Sequence, residues 1–91
     1  MYQINPSDLF ENLIKVYKEL ACAEDECRRL QNEIESYKPD SPKRAEIIMQ
    51  YNEANERRIN LSREYQIARY NVERAWMEIE LAKLRKPQPI D

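Results

Sequence analysis

The sequence predicts an all-α fold: a two-helix antiparallel coiled-coil hairpin with the second helix longer, completed by dimerisation into a four-helix bundle. Three observations predict it. Two long series of apolar residues repeat at alternating spacings of four and three, which is the seam of a coiled coil. A short proline-containing segment separates them, and the 91 residues contain no glycine, so no position is set aside for a left-handed backbone.

The first helix starts at Asn5-Pro6-Ser7-Asp8, where Asn caps, proline occupies the first turn without losing a needed N–H, and an acid meets the positive end of the helix. Leu9, Leu13, Val16, Leu20, Ala23, Cys27, Leu30, Ile34 and Tyr37 carry its seam. The predicted helix spans about residues 6–37. Lys38-Pro39-Asp40-Ser41-Pro42 interrupts it, because each proline disfavours the helical conformation in the residue before it. With a turn over 38–41 the chain must reverse, and Ser41 with Pro42 begins a second helix over about 42–86. This Pro39-x-x-Pro42 turn is similar to the one in type III secretion needle subunits. The likeness covers those four residues alone, beside a longer and more regular first helix, and reads as convergence on a turn solution.

Ile47, Tyr51, Ala54, Arg58, Leu61, Tyr65, Ala68, Val72, Ala75, Ile79 and Ala82 form the second seam, with Arg58 as its one charged member. Lys83, Arg85 and Lys86 suit the negative end of the helix, and Pro87 and Pro89 stop it, leaving 87–91 as a loose tail. Residues 1–91 are read as one domain. Folding at the turn places Ile34 on Ile47, Leu30 on Tyr51, Cys27 on Ala54, Ala23 on Arg58, Leu20 on Leu61, Val16 on Tyr65, Leu13 on Ala68 and Leu9 on Val72, so that large mostly meets small. Arg58 is expected to reach Glu24 or Glu19, or to set the register as a polar residue within the core. Residues 6–38 carry eight acids and five bases, and 42–86 seven and ten. The two segments, at −3 and +3, should attract each other along the flanks of the seam.

Composition excludes several function classes. Without glycine there is no phosphate-binding P-loop, dinucleotide fingerprint or nucleophile elbow. Without histidine the usual general base and commonest metal ligand are missing. No catalytic residue, cofactor or metal site is assigned, and the chain reads as no enzyme. Glu24-Asp25-Glu26 points in three directions around its helix and cannot converge on an ion. Cys22 and Cys27, about 140° apart on a helix, should not bridge, and Cys27 should be buried and inert. A net charge of −2 disfavours nucleic acid as a partner. No apolar run approaches a membrane span, and MYQINPSDLF has no leader pattern, so the expected location is cytoplasmic.

Surface needing a partner is the sequence's main functional statement. The second helix outruns the first, and its far end holds Ala75, Trp76, Met77, Ile79, Leu81, Ala82 and Leu84; Tyr2 and Ile4 could fold back over only a part of it. Ile67, Tyr70, Arg74, Met77, Leu81 and Leu84 form a further series at spacings 3, 4, 3, 4, 3. It is offset by two positions from the hairpin seam, hence by about 200° around the helix. Phe10, Ile14, Tyr17 and Ala21 widen the first helix beside its seam. The expected interface is therefore Phe10, Ile14, Tyr17, Ile67, Tyr70, Trp76, Met77, Leu81 and Leu84, with a homodimer as first occupant and another protein as second. The leading functional expectation is a protein-protein interaction module, an adaptor, chaperone or inhibitor of the kind small phage or mobile-element proteins supply. The alternative is an oligomeric binder of a nucleotide or other small anionic ligand through Arg63, Tyr70 and Arg74 at a subunit junction. Competing with that alternative are ordinary ion pairs along the helix: Arg57 with Glu53, Arg69 with Glu73, Arg74 with Glu78.

Overall fold

A computed structural model describes residues 5–85 and consists of two helices, α1 (Pro6–Ser36) and α2 (Pro42–Arg85), folded back on each other as an antiparallel hairpin. The all-α hairpin and its longer second helix are as the sequence predicts. Expectations for Tyr2, Ile4, Lys86 and the tail 87–91 lie outside the described residues.

Asn5 caps α1 from an extended backbone, its Oδ1 accepting the Ser7 N–H at 3.1 Å while its carbonyl accepts from Asp8 and Leu9. The helix ends one residue before the predicted boundary. Tyr37 turns extended (φ −105°, ψ 151°) and donates its N–H to Ile34 O at 3.3 Å, and its side chain packs with Ile34 and Tyr51 against the first core cluster. Two residues further on, Pro39 bars helix at Lys38. The Ser41 N–H then donates to Lys38 O at 3.0 Å, and Ser41 O accepts from Arg44 N–H at 3.2 Å, closing the first turn of α2. Among the described residues no backbone has positive φ, so the hairpin has no position that favours glycine.

Nine residues form the core: Val16, Leu20, Ala23, Cys27 and Leu30 from α1 with Ile47, Ala54, Leu61 and Ala68 from α2. All occupy predicted seam positions. Seven of them form a cluster at the proline end (Cys27, Leu30, Ile47, Ala54) and a second one (Leu20, Ala23, Leu61), with Val16 and Ala68 beyond both. Arg58 falls between the two in register, and it does not reach α1's acids. Its Nε and Nη2 donate to Asn55 Oδ1 on its own helix at 3.1 and 2.8 Å, so a half-buried polar layer interrupts the apolar seam.

The charges do not pair across the seam as predicted. Every ion pair among the described residues joins side chains three or four apart on one helix. The charged groups sit on outer faces, where the neighbour one turn away is closer than the opposite helix.

The rod measures 82 × 23 × 14 Å, with a radius of gyration of 21.5 Å, against about 12 Å for a compact domain of this length. It is one layer thick. Whatever side of α2 turns away from α1 therefore faces solvent, and this places the candidate site. Among the described residues no helix is long and apolar enough to cross a membrane.

Candidate protein-interaction surface

α1 has 31 residues and α2 has 44, a difference of 13 that corresponds to about 20 Å of unopposed helix. Burial fades accordingly. Ala68 is the last buried residue of α2; Val72, Ala75 and Ile79 on the seam are half-buried, and everything from Glu80 to Arg85 is exposed.

All nine predicted interface residues are solvent-exposed, from Ile14 at 41% to Leu84 at 82%. Ile67, Tyr70, Met77, Leu81 and Leu84 recur on the side of α2 facing away from α1, interrupted by Arg74. Trp76, 56% exposed, flanks that stripe. α2's apolar side chains thus go all round, whereas those of α1 keep largely to one face. Phe10 and Ile14 stand on the outer shoulder of α1. Tyr17 has a second contact that the sequence reading did not assign, its ring centroid 5.9 Å from that of Tyr65 on α2 with the planes at 49°. It belongs partly to the hairpin. Met49 and Ile59 are exposed as well and were not singled out. Neither belongs to the second series, and isolated exposed apolar residues are ordinary.

The polar groups around the stripe are largely neutralised in place. Arg69 pairs with Glu73 and Arg74 with Glu78, both at 3.3 Å and both as predicted, and Lys83 pairs with Glu80 at 3.5 Å. The predicted Arg57–Glu53 pair is absent among the described residues. Arg57 instead lines a wide-open groove of about 370 Å³ with Glu19, Glu53, Glu56, Asn60, Leu61 and Glu64. That groove lies on the hairpin's middle and contains neither Arg63, Tyr70 nor Arg74.

Those three alternative ligand residues share one face but do not converge. Eleven positions separate Arg63 from Arg74, about 16 Å along the axis, and Arg74 is already held by Glu78. Among the described residues no cluster of three or more His, Cys, Asp or Glu could hold a metal ion. Cys27 is buried and Cys22 exposed, the arrangement expected of thiols on different faces.

In comparisons with known proteins, no family model, no curated protein and no solved structure matches the chain.

Proposed function

We propose that the chain is a non-enzymatic, cytoplasmic protein-protein interaction module, an adaptor, chaperone or inhibitor whose working surface is the far part of α2. The observation that carries this reading is the exposed series Ile67, Tyr70, Met77, Leu81 and Leu84 with Trp76 beside it. A helix is stably soluble with apolar residues on every side only when another surface covers them. Covering the exposed half of each such side chain is worth about 1 kcal/mol. A second hairpin, completing a four-helix assembly at the open end, and a different protein are both occupants within this reading. The anion-binding alternative has less support, since Arg63 and Arg74 lie about 16 Å apart along one helix and Arg74 is engaged by Glu78.

The test is photo-crosslinking in the native host with a benzophenone side chain at Leu84, at Met77 and, as control, at exposed Glu35 on the proline end. Discrete protein adducts at 84 and 77 but not at 35 are expected. Equal labelling at all three sites, or none at 84 and 77, would overturn the reading.

A further inference from the structure

The back of α2 carries its own indications of what lies against it. Resting on the reading of this face as a protein-binding surface, we propose that its occupant is a second copy of this chain, docked antiparallel. The two-fold axis passes between Ala75 and Trp76. Ile67 then meets Leu84 of the second copy, Tyr70 meets Leu81, and Arg74 meets Met77.

The first argument is symmetry. A two-fold interface must be self-complementary, and this series gives three layers, each repeated: Ile67 with Leu84 aliphatic on aliphatic, Tyr70 over Leu81, and the Arg74 stem along Met77. Every member is exposed, so the hairpin needs no rearrangement to form the layers.

Charge selects the orientation. In the antiparallel register Arg85 flanks the seam opposite Glu64 of the second copy, an attraction made twice. At the centre two Arg74–Glu78 pairs, each 3.3 Å within its own helix, come side by side as a neutral group of four. Glu73 approaches Glu80 of the second copy, but each carboxylate brings its cation, Arg69 at 3.3 Å and Lys83 at 3.5 Å. A parallel pairing would set Glu80 beside Arg85 as often as the antiparallel one sets Glu64 there, but it would also put Arg74 on Arg74 at the centre of the seam. Arg74, the one charged residue in the series, is thus the residue that sets direction.

Length agrees. The seam from 67 to 84 covers about 27 Å; it lays the last turns of each α2, 79–85, along 66–72 of the other, where α1 still lies behind, and sets the two unopposed 73–78 segments against each other. Both overhangs gain a neighbouring helix in one step.

The test uses the full chain in a Cys22→Ser background, with buried Cys27 kept and a chain without added cysteine as control. Ile67→Cys and Leu84→Cys chains are mixed and oxidised. The 67–84 disulfide should exceed 67–67 and 84–84 at least tenfold. Light scattering should give twice the 11.0 kDa chain mass, and small-angle scattering a rod of about 110 Å in place of 82 Å. Leu81→Glu should halve the mass without loss of helicity, because Leu81 lies outside the hairpin core. Dominant 67–67 and 84–84 products overturn the orientation. A monomeric chain that still gives foreign adducts from position 84 overturns the pairing and leaves the interaction module standing; a monomeric chain with no adducts overturns both.

Discussion

Leu30→Ala removes the largest fully buried side chain of the hairpin, 1% exposed and packed in the cluster with Cys27, Ile47 and Ala54. Leucine-to-alanine changes in cores cost about 2–5 kcal/mol, the spread reflecting how far the site collapses. The rod here is only 14 Å across its thin dimension, so solvent and the flanking Tyr37 and Tyr51 can partly fill the space, which puts the loss near the lower end, about 2.5 kcal/mol. For a domain of this size that lowers the melting temperature by about 10–20 °C. Urea titration followed by helical circular dichroism on the full chain measures it. The matched control is Met49→Ala at the same end of the hairpin, whose side chain is 67% exposed and whose loss should stay within about 0.5 kcal/mol. A Leu30→Ala loss below about 1 kcal/mol, or one no larger than that of Met49→Ala, would refute the seam between the two helices as the source of stability.

Asn5→Ala deletes the acceptor for the Ser7 N–H and should cost about 1 kcal/mol in the same titration; an unchanged midpoint would show that the Asn5 carbonyl alone holds the helix start. Ellman's reagent should titrate one thiol per native chain, Cys22, and two in denaturant, since Cys27 is buried; rapid reaction of both in native protein would place Cys27 outside the core. Arg58→Met keeps the aliphatic stem and removes the guanidinium held only by Asn55 on the same helix. It should raise stability by about 1 kcal/mol by joining the two apolar clusters, and a loss of that size would mean that the polar layer is a stabilising contact in its own right. In the monomeric Leu81→Glu chain, amide hydrogen exchange should be slowest around Ala23–Leu30 and Ile47–Leu61 and fastest from Glu80 to Arg85, where burial ends; uniform protection along α2 in that chain would contradict the burial gradient.

Much of the fold was legible because a coiled coil states its contacts in its period. Each buried residue falls on a predicted seam position, and the two helix ends follow from Asn5, Pro39 and Pro42, whose effects are local. What the sequence concealed was local competition. Arg58 was matched to acids on the opposite helix, but Asn55, three residues earlier, offers its oxygen without any reach across the seam. The opposite net charges of the two helices suggested pairing between them, whereas neighbours one turn away took the partners first. The residues expected at an interface were named from period and length alone, and all are exposed. Arg63 and Arg74 belong to one face, but a shared face is not convergence, and only the axial distance between them shows the difference.

The distribution of burial connects stability to the proposed role. Leu30 and Ile47, at 1% and 2% exposure, anchor the proline end; Arg58 interrupts the seam, and from Ala68 onward α2 finds progressively less to pack against. A helix end with no opposing partner frays at little cost, so whatever covers Met77, Leu81 and Leu84 also fixes the last turns of α2. Binding and ordering are then one event at the open end, while the proline end acts as a preformed handle that limits the entropy lost. Had the far stripe been polar, the overhang would be a frayed extension with no consequence. Its apolar residues, repeated at coiled-coil spacing and interrupted by one arginine, are what the proposed interface rests on.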